Sequence, residues 1–499
     1  MARSDYEAVI GLEVHVQLKT ETKIFCNCPN RFGAQPNTLV CAVCLGYPGT
    51  LPVLNRAAVD QGIRLALALG ATVHRRSIFA RKNYFYADLP KGYQISQFDR
   101  PLAENGRLPL TQHDREVEIE RLHLEEDAGK LLHEAPGGGQ LPGTSLVDYN
   151  RCGTPLLEIV TTPSLRSAEE AQDYLQSLHQ VLTTTGTSDG NMEEGSLRCD
   201  ANVSMRPVGS AVLGTKAEVK NLNSFRFVAR AIEYEIERQC ALLDRGERVV
   251  QETRTFDSER GVTQPLRSKE EAHDYRYFPE PDLPPLVLAA ARVDAIAAAL
   301  PELPWTRRAR LAADYGLDAD DARLLTAEPA LADYYEAAVA ALPAQPQALA
   351  NWVTNDVLKL RKEHGGAIGG AEDSASATVP AATLAQTVAL VDDGTLSTSA
   401  GKTVFETLWQ RRCADADAAL DPAALAAELG LVQVRDADQI AAWAREAVAA
   451  NPKQVAQYRG GKTKLIGFFV GQVMRASRGR AAPDLVQAAL RDALDAAEV

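Results

Sequence analysis

Apolar and polar residues alternate with a period of two along Val9-Ile10-Gly11-Leu12-Glu13-Val14-His15-Val16-Gln17-Leu18, the pattern of a half-buried strand. Ile10, Leu12, Val14, Val16 and Leu18 take one face; Glu13, His15 and Gln17 take the other. A second such run, Glu116 to Lys130, shifts its apolar parity between Ile119 and Leu122. That shift predicts a bulge and leaves His123 and Glu125 on one face, with Glu126 and Asp127 where the strand runs out. Leu146 to Thr162 reads as strand, with Asp148, Asn150, Arg151 and Glu158 as its polar members. The cleanest alternation turns Leu197, Cys199, Ala201, Val203 and Met205 inward and Arg198, Asp200, Asn202, Ser204 and Arg206 outward. Lys216-Ala217-Glu218-Val219-Lys220 repeats it, Phe225 to Leu243 reads as a helix, and Glu252 to Asp257 as another strand.

The proline cluster in Glu280-Pro281-Asp282-Leu283-Pro284-Pro285-Leu286 cannot lie inside a central strand or helix, so a domain boundary is expected just after it. From about residue 291 the texture turns to Ala-rich helices. The run of small residues from Gly365 to Thr378 reads as a flexible loop between them. Ile466, Phe469, Val470 and Val473 fall at helical spacing, with Gly467 and Gly471 expected to permit close helix approach.

At 499 residues the chain exceeds one ordinary core, so two to four domains are expected. Its 45% hydrophobic and 24% charged residues describe a soluble globular protein. No apolar run approaches the roughly 20 residues that span a membrane, and Met1–Tyr6 does not lead into a signal-peptide core. A cytoplasmic location is therefore expected, with the eight cysteines as thiols or metal ligands rather than disulfides. The net charge of −13 means that any nucleic acid must be gripped by a local patch.

Two clusters carry candidate chemistry. Cys26, Cys28, Cys41 and Cys44 form two close pairs able to wrap one zinc ion. Four cysteines leave no open position, so the site is a clip and not a catalyst. Carboxylates set beside Arg and Lys on several strand faces suit magnesium and phosphate together, which points to phosphoryl chemistry. Between Phe79 and Phe98, aromatics interleave with Arg81, Lys82 and Lys91, a composition that suits bases and phosphates. Near the end, Arg459, Lys462, Lys464, Arg475, Arg478 and Arg480 lie in a stretch with no acidic residue, where a phosphate backbone could bind. Gly461-Lys462-Thr463 is not a P-loop, because Ala456 stands where the first glycine is required. Residues alone leave open an RNA-binding scaffold and a small-molecule phosphoryl transferase; the basic tail speaks against the second. Cys199 falls on the buried parity of its strand, and Cys152, Cys240 and Cys413 sit in no recognisable nucleophile motif.

Taken together, Val9–Leu18, Arg81–Gln97, His123–Lys130, Leu146–Thr162, Gly190–Pro207, Lys216–Phe225 and Gln251–Pro285 resemble the GatB/GatE family, the B subunits of tRNA-dependent amidotransferases. The resemblance implies an α+β fold: a large antiparallel-sheet cradle domain (1–292) with the four-cysteine knuckle, then an all-helical domain (293–412), then a small helical YqeY-like, tRNA-binding tail (413–499). It implies ATP-dependent phosphorylation of the side-chain carboxylate of misacylated Glu-tRNA(Gln) or Asp-tRNA(Asn), followed by amidation with ammonia. It implies several partners: an amidase (glutaminase) subunit and a small third subunit in a heterotrimer, the misacylated tRNA, and the cognate non-discriminating aminoacyl-tRNA synthetase. Magnesium and catalysis carry over to Glu13, His15, Glu125 or Glu126, Asp200 and Glu218, with Asp148 a further metal candidate. Phosphate and transition-state charge carry over to Lys82, Arg198, Lys216, Lys220, Arg254 and Arg276.

Overall fold

The computed structural model describes residues 5–132, 143–268, 275–365, 379–477 and 479–496, together with Gly139 and Ile368. Its strands, in chain order, are β1 (Tyr6–Gln17), β2 (Thr72–Val73), β3 (Arg76–Ser77), β4 (Phe79–Asn83), β5 (Tyr93–Gln97), β6 (Ala103–Pro109), β7 (Glu116–Glu126), β8 (Lys130–Leu132) and β9 (Leu146–Asp148). Then follow β10 (Pro155–Thr161), β11 (Leu197–Pro207), β12 (Ala217–Leu222), β13 (Glu252–Asp257), β14 (Val262–Ser268), β15 (Phe278–Pro279) and β16 (Leu286–Val287). Twelve of them form one sheet, in the order β14-β13-β12-β11-β1-β10-β7-β5-β4-β15, with β6 also beside β7 and β2 beside β6.

The strand with the strictest alternation lies in the middle of that order. Ile10, Leu12, Val14 and Val16 of β1 are buried with Leu197, Cys199, Ala201 and Val203 of β11, in one core with helices α1 (Arg56–Ala68), α2 (Ala168–Thr185) and α3 (Phe225–Asp244). Each fully buried Leu, Ile or Val contributes roughly 1.5–3 kcal/mol, so a shift of register by one residue would sacrifice the whole row. Ser167 and Ser224 start α2 and α3 by accepting the Glu170 and Phe227 amides at 3.1 Å, the usual serine N-cap.

The sheet is antiparallel at every pairing among the described residues except β12 with β13, which run parallel. Between them α3 supplies the long crossover that a parallel pair requires. The bulge lies where the parity shift placed it: Thr161 faces Ile119 and Val160 faces Arg121, leaving Glu120 as the extra residue. The single strand expected over Leu146–Thr162 is instead two, β9 and β10. The intervening Tyr149–Thr154 turn needs Gly153 at φ +78°, a conformation cheap only for glycine.

The chain divides into two compact units, residues 1–307 and 308–499. The second is helical. One core gathers Leu311, Tyr335, Trp352, Phe405 and Trp409. Another gathers Ile440, Phe469, Val473, Val486, Leu490 and Leu494. Most of the expected Gly365–Thr378 loop lies outside the described residues. Among the described residues no helix is long and apolar enough to cross a membrane.

Candidate active site

Register alone assembles the centre of the site, on the face of the sheet opposite α3. His15 of β1 lies opposite Glu158 of β10, Glu158 opposite His123 of β7, and His15 on its other side opposite Arg198 of β11. One row across four strands therefore reads Arg198–His15–Glu158–His123. Glu125, two residues along β7, stands on the same face as His123. The side chains converge: His15 Nε2 is 3.4 Å from Glu158 Oε2 and 3.9 Å from Glu125 Oε1. His123 Nε2 is 3.3 Å from Glu158 Oε2 and 3.8 Å from Glu125 Oε2.

Burial lowers the affinity of both imidazoles for a proton, but the Glu158 and Glu125 carboxylates outweigh it. His15 is raised above its ordinary value and His123 is pushed up to about 9. Burial likewise works against the carboxylates, yet His123 and His15 hold Glu158 well below the usual carboxylate range, and His123 draws Glu125 down. Among the described residues, His123 Nδ1 and Arg198 Nε are buried with no hydrogen-bond partner. One ligand atom each from His15, Glu125 and Glu158 falls within 4.8 Å of the other two. Two carboxylates and an imidazole around so small a volume fit a divalent cation of the magnesium or manganese type, with water completing its shell.

Cations flank this centre. Lys82 is half-buried, which opposes its charge, but Glu125 and Glu158 raise it above its ordinary value; its Nζ lies 5.0 Å above the Tyr275 ring. Arg198 donates to Asp127 Oδ2 at 2.8 Å, and Asp127 also receives Gln17 Nε2 at 3.0 Å. Farther along, Glu13 lies opposite Asp200 and accepts Asn202 Nδ2 at 3.0 Å. Lys220 bridges Asp200 and Glu218, the latter at 3.0 Å, and Thr253 Oγ1 donates to Glu218 at 2.9 Å.

Several expected members are not brought to this face. Glu126, on the other parity from Glu125, is taken up by Lys91 and the Ile95 amide. Asp148 lies in the separate β8–β9 ribbon, where it accepts the Asn37 and Asn150 amides at 3.0 and 2.9 Å. Arg254 lies opposite Val219, on the helix-covered side, and binds Glu235 of α3 at 2.9 Å. Lys216 is exposed just before β12, and Arg276 is exposed at φ +44°. Conversely, Glu158 and His123 belong to the centre although neither was carried over from the family resemblance. The signal for Glu158 was a single acid in the otherwise apolar strand Pro155-Leu156-Leu157-Glu158-Ile159-Val160-Thr161.

The four knuckle sulfurs also converge, all within 4.8 Å of one another, with Cys41 and Cys44 at 3.9 Å. A tetrahedral site with bonds of about 2.3 Å has sulfur–sulfur edges of about 3.8 Å, so a zinc ion fits. The Cys26 hydrogen bond, helped by the Lys23 charge, pulls the Cys44 thiol down to about 5. Gly46, at φ +67°, lets this loop lie against Lys91, where any Cβ would collide with the lysine stem.

Residues 8–294 match the family model of the GatB/GatE catalytic domain, and residues 333–494 match that of the GatB domain. The chain belongs to the GatB/GatE family. It is 52% identical over 485 residues to the B subunit of the aspartyl/glutamyl-tRNA(Asn/Gln) amidotransferase of Geobacter sulfurreducens, covering 97% of this chain and 98% of that one. It is 51% identical over 496 residues to the corresponding B subunit of Myxococcus xanthus, covering 99% and 100%.

In this GatB/GatE chain the catalytic-domain match contains every residue of the central row, and the GatB-domain match contains the basic stretch. Within that stretch, Lys462, Lys464 and Arg475 are exposed. Arg459 instead holds the Leu494 and Asp495 carbonyls at 2.7–2.9 Å, and Arg480 Nε donates to the Ser477 carbonyl at 3.3 Å; Arg478 lies outside the described residues. Gly467 and Gly471 do not serve close helix approach. Both are exposed, with open space where a Cβ would stand; Phe469 and Val473 make the buried face.

Proposed function

We propose that this chain is the activating subunit of a tRNA-dependent amidotransferase and that its chemistry takes place on the open sheet face around Arg198, His15, Glu158, His123 and Glu125. The convergence of four of those side chains in a single cross-strand row, with Glu125 two residues along β7 on the same face, carries the proposal. The substrate is the side-chain carboxylate of glutamate on tRNA(Gln), of aspartate on tRNA(Asn), or of both. One carboxylate oxygen attacks the γ-phosphorus of ATP, the bond to ADP breaks, and ammonia then displaces phosphate to leave the amide. His15, Glu125 and Glu158 would hold a magnesium ion, which would supply positive charge to neutralise the phosphate.

The remaining work belongs to side chains. Lys82 and Arg198 stand beside the acid cluster as fixed cations for the charge that develops on the transferring group. Asp127 orients Arg198 through its 2.8 Å hydrogen bond. Asp200, Glu218 and Lys220 form a second set, in which Lys220 keeps the two acids together until substrate or a second cation replaces it. Zinc at Cys26, Cys28, Cys41 and Cys44 would hold the knuckle and supply no chemistry. The 413–499 segment would engage tRNA backbone through Lys462, Lys464 and Arg475, so neutralising those three should flatten the salt dependence of tRNA binding.

Ammonia comes from a partner. Cys152, Cys199 and Cys240 are buried, and the exposed Cys413 lies in the helical unit. The partners are an amidase (glutaminase) subunit and a small third subunit, in the cytoplasm. The deciding experiment supplies misacylated tRNA and ATP–magnesium with either glutamine or concentrated ammonium, to this chain alone and to the heterotrimer. Amide product is expected from the heterotrimer with either nitrogen source. Glutamine-dependent product from this chain alone would overturn the partner requirement. ATP cleavage indifferent to charged tRNA would overturn the activation step.

A further inference from the structure

We infer that Lys23 is the charge-balancing residue of the four-cysteine centre, donating an N–H···S hydrogen bond that the centre requires in its metal-loaded, anionic form. This rests on the zinc reading above. Lys23 is 0% exposed, among the largest completely buried side chains of the molecule. A lysine is almost never fully buried unless paired, and an unpaired buried ammonium costs several kcal/mol. Yet its Nζ meets no carboxylate among the described residues. Its partners are the Leu39 carbonyl at 2.7 Å and Cys44 Sγ at 3.7 Å.

One carbonyl dipole does not neutralise a full charge. The one source of negative charge in contact with it is the sulfur cluster. Without metal the sulfurs supply at most the one Cys44 thiolate. Four thiolates around a divalent ion carry a net charge of −2, and a buried ammonium against one of them brings the assembly to −1. The need is therefore mutual. The thiolate centre explains how Lys23 can be buried, and Lys23 lowers the cost of holding that centre away from water. Position supports the same reading. Lys23 enters the knuckle from the backbone just before Cys26, its own amide donates to the Cys28 carbonyl at 3.0 Å, and Leu39, which anchors its head, precedes Cys41 by two residues.

The consequence is a dependence on metal. With metal bound, Lys23→Met removes the counter-charge, and metal affinity should fall by about 10–100-fold, as for other partners of metal ligands. Without metal, at most the one Cys44 thiolate faces Lys23, so the same substitution should shift the urea midpoint less than it does in the metal-loaded protein. The experiment uses the full chain, wild type, Lys23→Met and Lys23→Gln, each prepared with zinc or with cobalt and again after exhaustive chelation. It measures metal transfer to a competing chromophoric chelator, the visible absorption of tetrahedral cobalt thiolate, and urea midpoints with and without metal.

Lys23→Gln keeps an N–H donor but no charge, so it should follow Lys23→Met. Faster metal loss from both variants, with a smaller shift of the urea midpoint for Lys23→Met without metal than with it, is the expected result. Unchanged metal retention in Lys23→Met, or wild-type retention in Lys23→Gln, would overturn the charge-balancing role while leaving the zinc reading intact. Wild-type protein that takes up neither zinc nor cobalt would overturn the zinc reading itself, and the inference with it.

Discussion

The two sides of one sheet carry two buried charge clusters that are finished to different degrees. On the helix-covered side, Glu235 of α3 receives Arg238, Arg254, Gln239 and Thr263, and Arg254 also binds Glu252 and the Thr263 carbonyl. Both oxygens of the Glu235 carboxylate are engaged. On the open side, Glu125 and Glu158 share two imidazoles, and among the described residues His123 Nδ1 and Arg198 Nε have no partner. Both clusters are charged and shielded from water, so burial and charge do not distinguish a site from a strut. Completeness does. Apart from Gln239 Oε1 at the edge of the covered cluster, which has no partner among the described residues, the strut closes the hydrogen bonds of its charged groups, and a site leaves valences for what it binds.

Breaking the finished cluster should have the largest effect and the least specific one. Arg254→Met leaves Glu235 buried with one fewer cation and should cost about 3–5 kcal/mol of stability, read as a lower urea midpoint. Activity per folded molecule should stay close to wild type. A stable Arg254→Met protein that has lost tRNA-dependent ATP cleavage would return Arg254 to the active face and erase the contrast.

The open cluster should be read first in activity. Glu158→Gln removes a carboxylate that His15 and His123 hold ionised, so the metal-free protein should lose part of the stability which that pairing contributes at neutral pH. Turnover of ATP with misacylated tRNA should fall by about 10²–10³-fold, the usual cost of one preorganised charge, and more magnesium should be needed for half-maximal rate. Equal magnesium dependence in wild type and variant would remove Glu158 from the metal-binding set.

Asp127 gives the smallest and most refined test, because it is a closed pair on the open side. Burial raises its carboxyl, but Arg198 and Arg151 outweigh this and hold it below its ordinary value. A depressed carboxyl contributes stability that is present above its unfolded value of about 3.9 and fades as pH falls through the folded value. Asp127→Asn should therefore reduce the loss of urea stability between pH 7 and pH 3 relative to wild type. An identical acid limb in the two proteins would mean that the Arg198–Asp127 pair is not closed in solution.

Local pattern was enough for much of this molecule. Alternation along Val9–Leu18 and Leu197–Met205 set which residues of β1 and β11 turn to the core, because a strand's side chains can only alternate. The parity shift near Ile119 announced the bulge at Glu120 for the same reason. The spacing of Cys26, Cys28, Cys41 and Cys44 foretold their convergence, since short loops keep near neighbours close. Lys23, by contrast, looked like any surface lysine in the sequence, and only the folded knuckle buries it. Pairing between distant strands was likewise invisible: nothing in the sequence says that β10 lies between β1 and β7, and that order is what brings Glu158 to His15 and His123. The parallel placement of β13 beside β12 turned Arg254 toward α3 instead of the site, although its own alternation looked no different from that of Arg198. Alternation is a property of a single strand and can be read along the chain. Which strands become neighbours, and which face a helix then covers, depends on contacts between residues far apart in sequence, and only the tertiary structure decides them.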